Sequence, residues 1–177
     1  MTVDAFKSFS KKQLILLNWW TDSSPYKNRD AIICDGSVRS GKTVCMFLSF
    51  IFWAFYMFSD SSFAVCGKTI TSLRRNIITP MLPILRSLGF TYEELVSKNM
   101  IIIKKDGREN RFYIFGGKDE GSAALIQGMT LSGVMLDETA LMPRSFCEQA
   151  IARCSVDNSR LWFNCNPENP AHWFYTE

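Results

Sequence analysis

Gly36-Ser37-Val38-Arg39-Ser40-Gly41-Lys42-Thr43 is the stretch that decides how this chain reads. It matches G-x-x-x-x-G-K-[ST], and each fixed position has a physical task. The glycines allow a backbone path that turns successive amide N–H groups toward one anion, such as the β-phosphate of a nucleotide. A helix beginning near Gly41 would add the positive end of its dipole. Lys42 is long enough to reach β- and γ-phosphates, and the Thr43 hydroxyl is a Mg²⁺ ligand. So short a pattern also arises by chance. Its surroundings argue against chance: residues 30–34 read as a short buried strand before the loop, and residues 44–58 as an apolar helix after it.

Strands and helices alternate outward from the loop. Residues 11–20 read as a helix and 21–29 as a loop rich in Ser and Asp. Residues 62–66 form a second apolar strand. Residues 71–88 carry helical spacing, which Pro80 and Pro83 must kink or divide. Residues 100–105 and 111–115, separated by Asp106-Gly107, read as a hairpin. A short helix or loop at 119–127, a strand at 131–136, a helix at 144–154 and a strand at 161–165 complete the order. The strands are apolar without alternation, as in a sheet covered on both faces, and the expected sheet is mainly parallel.

The bulk numbers set limits. The chain has 177 residues, enough for one domain with a substantial core. Its net charge is +3, too small an excess to announce a nucleic-acid binder. Lys104, Lys105, Arg108 and Arg111 form a basic hairpin that reads as a solvated face rather than a DNA contact. The apolar run at 44–58 spans 15 residues, about 22 Å as a helix, short of a hydrocarbon core of roughly 30 Å. It therefore reads as a core helix, and no membrane is expected. None of the six cysteines forms a C-x-x-C pair, and His172 is the one histidine available to share a metal. That pattern suits thiols in a reducing, intracellular setting.

A phosphate loop needs a second acid at the end of a neighbouring strand. Val134-Met135-Leu136-Asp137-Glu138 supplies an apolar strand that ends in two carboxylates. Asp137 would hold Mg²⁺ through water. Glu138 would polarise an attacking water as general base. Phosphate-transferring kinases do not need that extra base, so its presence favours hydrolysis of ATP. The fold class expected is α/β, a P-loop NTPase of the ASCE type, with a mainly parallel central sheet flanked by helices.

Four segments together resemble the N-terminal ATPase domain of the large terminase subunits of tailed phages. They are Gln13 ahead of the loop, Arg39 to Thr43, the lead from Gln127 through Gly133 into the acids, and Asn164-Cys165-Asn166-Pro167 followed by His172-Trp173. The resemblance implies that Gln13 contacts adenine and that Arg39 stabilises or senses the γ-phosphate. It also implies that Asn164 or Asn166 senses that phosphate and passes the signal on. A Thr is frequent in the family at the position of Asn164, which leaves that role open. His172 reads as packed beside Trp173. Candidates for an arginine reaching into a neighbouring subunit are Arg74, Arg75, Arg144 and Arg153, and sequence does not choose among them.

The partners implied by the resemblance are double-stranded DNA, a portal protein, a small terminase subunit and further copies in a ring. A monomer in isolation is left open, and the setting is the cytoplasm of an infected bacterial host. The whole of 1–177 reads as the ATPase domain, with a C-terminal nuclease expected in the full-length protein and no acid cluster suited to two-metal cleavage within this stretch. Two rivals share the loop and the acids. One is a helicase-like or other DNA-translocating ATPase. The other is a nucleotide-dependent binding module with little turnover.

Overall fold

The computed structural model describes residues 8–36, 41–166 and 173–176. Seven strands form one sheet: β1 (Ala31–Asp35), β2 (Ser61–Gly67), β3 (Thr91–Leu95), β4 (Met100–Lys105), β5 (Arg108–Gly116), β6 (Gly133–Leu136) and β7 (Arg160–Cys165). Their order is β1-β7-β6-β2-β5-β4-β3. The five from β1 to β5 in that order run parallel, while β4 and β3 are antiparallel additions. β7 lies between the strand before the phosphate loop and the strand before the acids. That insertion is the ASCE arrangement expected from Glu138.

Successive residues of the central strands serve opposite faces, which explains runs that are apolar without alternation. Phe63, Val65, Met135 and Trp162 enter one core with α1 (Lys11–Asn18), α2 (Lys42–Met57) and the helical segment 70–87. Ala64, Val134, Leu136 and Phe163 enter the other, under α5 (Arg144–Ala152). The apolar run is thus helix α2, most of its residues buried against the sheet. No helix among the described residues is long and apolar enough to cross a membrane. α2 lies so close to the sheet that a Cβ on Gly133 would come within 2.6 Å of the Trp53 ring. Ser49 of α2 accepts from the indoles of Trp20 and Trp162, both at 3.2 Å, tying the end of α1 and β7 to the same helix.

The structure corrects several expectations. The helix at 71–88 is divided upstream of its prolines: α3 (Ile70–Leu73) passes into a π turn (Arg74–Ile78) before α4 (Thr79–Ser87). Pro80 and Pro83 cannot donate to the preceding turn, and the wider turn shifts register just ahead of them. α1 stops at Asn18, β6 begins at Gly133 and α5 ends at Ala152, each shorter than expected, and 120–125 is a 3-10 turn. β5 starts three residues earlier than expected because Asp106 (φ 50°) and Gly107 (φ 78°) make a tight two-residue turn. The edge strand β3 carries no sequence signal of its own. Its exposed Glu93 and Glu94 give it no apolar face to read.

The basic hairpin is a solvated face only in part: Lys104 and Arg108 are exposed, while Lys105 and Arg111 are half-buried. Arg108 Nη1 donates to the carbonyls of Phe55 (2.7 Å) and Tyr56 (3.0 Å) at the end of α2. Lys105 Nζ donates to Leu88 O at 2.7 Å, just past α4, and sits over the Phe90 ring. These cations meet the negative ends of two helices. Lys104 is half exposed and pairs with Glu109 at 2.8 Å, and Arg111 pairs with Asp60.

Candidate functional site

In a parallel sheet the strand C-termini share one edge, and the loops there converge. Along that edge stand Gly36 after β1, Asn166 after β7 and Asp137 after β6. Gly36 (φ 145°) and Gly41 (φ 76°) both take positive φ, the conformational freedom for which the loop uses glycine. Ser37, Val38, Arg39 and Ser40 lie outside the described residues, as do Pro167 and His172. Gly41 is the N-cap of α2, so Lys42 and Thr43 form its first turn.

Lys42 reaches back across this edge. Its Nζ donates to Gly36 O, to Cys165 O (3.3 Å) and to Asn166 Oδ1 (3.0 Å). All three are neutral oxygens, which an anion would outcompete for the ammonium. Asn164 joins the other two groups: its Nδ2 donates to Asp137 Oδ1 at 2.6 Å and to Thr43 Oγ1 at 3.3 Å. Thus Lys42 and Asp137 face one site, bridged through β7. Asn164 Oδ1 is buried and has no partner among the described residues. Thr139 Oγ1 donates to Leu136 O (3.3 Å) and Asn164 O (3.2 Å), holding the turn after the acids against β7. Glu138 sits in that turn with φ 52°, a left-handed conformation rare for a non-glycine residue.

Burial pushes the Asp137 carboxyl up to about 6, against the pull of the Asn164 amide; the nearby Glu138 charge raises it further, while a Glu138 backbone bond and Lys42 lower it. A carboxylate and a hydroxyl this close to one amide are hard oxygen donors of the kind Mg²⁺ takes. The donor set therefore fits the ion. No group of three or more His, Cys, Asp or Glu able to hold a metal alone exists among the described residues. Burial pushes the nearby Cys34 thiol up to about 12, Lys42 pulling it down and Cys165 and Cys45 raising it, so it is no nucleophile.

Beside the phosphate edge lies a cleft of about 440 Å³ between α1 and β1, reaching Gly36 and Lys42. Ile15, Leu16, Ile32 and Ile33 give it apolar walls, and Ser10 and Gln13 give it polar ends. Gln13 thus stands next to the loop, and a Cβ on Gly41 would come within 2.9 Å of its Nε2. The arginines offered for a neighbouring subunit differ in their freedom. Arg74 pairs with Glu94 (3.3 Å) and Arg144 with Glu148 (2.6 Å), while Arg75 bonds the adjacent Asn76 (3.1 Å). Sequence reasoning missed the bridging geometry of Asn164 and the part of Thr139, whose β-branched hydroxyl directly after the acids was the available signal.

A family model described as terminase large subunit, T4likevirus-type, N-terminal, matches residues 33–177. The large terminase of a thermophilic bacteriophage is 53% identical over 96% of this chain and 42% of its own, with a TM-score of 0.92. The complex of that terminase with ATP-gamma-S is similar at 50% identity over 96% of this chain and 41% of that one, with a TM-score of 0.90. The large terminase ATPase domain of Thermus phage P74-26, 17% identical over 82% of this chain and 62% of that one, has a TM-score of 0.61 and shares the fold alone. No curated protein matches. The chain spans about two-fifths of the length of the thermophilic bacteriophage protein.

Proposed function

Because this chain belongs to the family of T4likevirus-type terminase large subunits, matching its N-terminal part, we propose that it binds and hydrolyses ATP as the motor part of a DNA-packaging enzyme. The observation that carries this reading is the Asn164 amide, which bridges Asp137 and Thr43 beside Lys42. The complex of the thermophilic bacteriophage terminase with ATP-gamma-S supports it from outside.

In this reading Lys42 exchanges its carbonyl partners for the β- and γ-phosphate oxygens, and the loop amides of Gly36 to Thr43 surround the β-phosphate. Thr43 and Asp137 are the residues that would hold Mg²⁺, and the chemistry it would supply when bound is neutralisation of charge on the transferred phosphoryl group. Glu138 accepts the proton of a water whose oxygen attacks the γ-phosphorus, and ADP leaves as phosphate forms. Arg39 stabilises or senses the γ-phosphate. Asn164 and Asn166 already touch Asp137 and Lys42, so they are placed to change partners when that phosphate departs.

The work done by hydrolysis is movement of double-stranded DNA into a procapsid, with copies of the chain in a ring alongside a portal protein and a small terminase subunit, in the cytoplasm of an infected host. Residues 1–177 act as the ATPase domain, and DNA cutting belongs to a nuclease domain elsewhere in the full-length protein. Phosphate release with Mg²⁺ and DNA tests the enzymatic core. Wild type should turn over, and Glu138→Ala should bind nucleotide while losing about 10²–10⁴-fold in rate. Equal inactivity of both, with partners and DNA supplied, would leave a binding module. Strand unwinding would point to a helicase.

A further inference from the structure

The carboxylate assigned to the attacking water stands at an unusual backbone position. Glu138 is the N-cap of the turn Thr139–Leu141, with φ 52° and ψ 49°, the left-handed region that a residue bearing a Cβ seldom occupies. No described residue hydrogen-bonds its carboxylate, so the backbone sets where that group points. That backbone is held locally. The Glu138 N–H donates to the Asp137 carboxyl, and the Glu138 carbonyl accepts from Leu141 N at 2.9 Å. Asp137 N donates in turn to Cys66 O of β2 at 2.8 Å.

Thr139 ties the turn to the other neighbouring strand. It is fully buried, and the single hydrogen of its hydroxyl is shared between Leu136 O (3.3 Å) and Asn164 O (3.2 Å). The β6–β7 pairing ends at Leu136 and Phe163, so the hydroxyl carries it one residue further, where β6 has already turned away. The bond from residue 139 back to residue 136 brackets both acids, and the bond to Asn164 anchors that bracket to β7. Backbone in a sparsely populated conformation persists only where its surroundings over-determine it.

We propose that Thr139 is a positioning residue, whose hydroxyl holds Glu138 in the left-handed conformation that aims its carboxylate at the attacking water. Buried beneath the turn, it acts through Glu138 rather than on the nucleotide itself. The inference rests on the hydrolysis reading above and adds to it what keeps the base on target. Without the hydroxyl the turn relaxes toward a commoner conformation and the carboxylate swings off the path of the water. Nucleotide binding, which depends on Lys42, Thr43 and the loop amides, stays in place.

Thr139→Val keeps the β-branched shape and removes the donor, while Thr139→Ser keeps the donor and removes the methyl. The measurements, on the full-length protein with Mg²⁺ and DNA, are single-turnover phosphate release, AMP-PNP affinity by calorimetry and a thermal melt. Thr139→Val should release phosphate on the order of 10²-fold more slowly, the effect of misplacing a reacting group by about 1 Å. Its AMP-PNP affinity should stay within about threefold of wild type, the split expected when only the chemical step is touched. Thr139→Ser should restore most of the rate.

The decisive comparison is made in Glu138→Ala. A residue that works only through Glu138 has nothing left to position there, so adding Thr139→Val should leave the residual rate unchanged. An equal slowing by Thr139→Val in both backgrounds overturns the proposal, because the hydroxyl then acts elsewhere. So does wild-type turnover in Thr139→Val, or a parallel fall in rate and AMP-PNP affinity, which is what collapse of the site would give. Should Thr139→Val melt early, Thr139→Ala decides by the same readouts, since it leaves room for water to serve the two carbonyls; a second early melt assigns Thr139 to the fold alone and ends the proposal. Wild type that does not hydrolyse ATP, or Glu138→Ala that does so at the wild-type rate, overturns the hydrolysis reading instead.

Discussion

The two ends of the parallel sheet are built from similar residues and put them to opposite uses. At the strand N-termini, Asn110 is fully buried and every polar atom of its side chain is engaged. Its Nδ2 donates to Ala54 O and Phe58 O (3.4 and 3.1 Å), and its Oδ1 accepts from Ser61 N at 3.0 Å. Arg108 closes the same helix end. At the strand C-termini, another buried asparagine, Asn164, has one atom shared between two oxygen groups and the other without a partner among the described residues. Asp137 beside it is held in a setting that disfavours its charge. A satisfied polar group stabilises. A group left short of partners is poised for a ligand, and the fold bears that cost.

The contrast is sharpest in what a deletion does. Lys42→Ala should lower kcat for ATP hydrolysis by about 10³-fold or more, since it removes the charge facing the phosphates. The melting midpoint should stay within about 3 °C of wild type, because the oxygens released lie at an open edge. Phosphate release and a thermal melt on the same samples check both halves. A Lys42→Ala protein that unfolds, or one that keeps its turnover, breaks the division between the two ends.

Asn110→Ala should do the reverse. It strands the Phe58 carbonyl and the Ser61 N–H in the interior, while Ala54 O keeps the Phe58 N–H, at about 2–4 kcal/mol, or on the order of 10 °C in Tm. Urea unfolding should show that loss, while turnover per folded molecule stays near wild type. Little change in Tm with a large fall in turnover would place Asn110 on the functional side.

Which parts of this were legible follows from the range of the signals involved. The phosphate loop, its flanking strand and helix, and Asp137-Glu138 are local patterns, because backbone path and metal chemistry restrict the residue types at neighbouring positions. The sheet-forming runs were legible because burial on both faces removes alternation. The caps on α2 and α4 were not, since Arg108 and Phe55 are 53 positions apart and nothing near either announces the other. A cluster of cations reads from sequence as charge looking outward; only the return of β5 to the end of α2 turns part of it inward. The bridge from Asn164 to Thr43 spans 121 positions, and β3 is a polar edge strand whose pairing with β4, not its composition, makes it a strand.

Acidity distinguishes the site end further. The folded state holds the Asp137 proton more tightly than an unfolded chain, about 6 against 3.8. Its contribution to nucleotide-free stability is therefore fully present below 3.8 and is lost as pH rises through about 6, an effect on the order of 3 kcal/mol. Mg²⁺ binding has the opposite sign, because the metal needs the carboxylate, so affinity should climb through the same window. Asp137→Asn should lack both slopes. Chemical denaturation and Mg²⁺ titration between about pH 4 and pH 7, wild type against variant, isolate this one group from the others that titrate. A variant with the same pH dependence as wild type would mean that the site end carries no such cost.

The smallest effect belongs to a hairpin cation that caps no helix. Lys104 is half exposed and meets Glu109 across the β4–β5 ladder, 2.8 Å away. An exposed pair of this kind gains little from its Coulomb attraction, since water screens it and two long side chains must be held still. Lys104→Ala should therefore leave Tm and turnover unchanged within error. Arg108→Ala on the same strand pair should lower Tm, because it uncovers two carbonyls at the end of α2. If the hairpin instead touched DNA, Lys104→Ala would weaken DNA binding and reduce its salt dependence by about one counterion. Filter binding at two or three salt concentrations would show it. An unchanged salt slope in Lys104→Ala, with a lowered melting midpoint in Arg108→Ala, would keep the basic residues at this end of the sheet in the service of the fold.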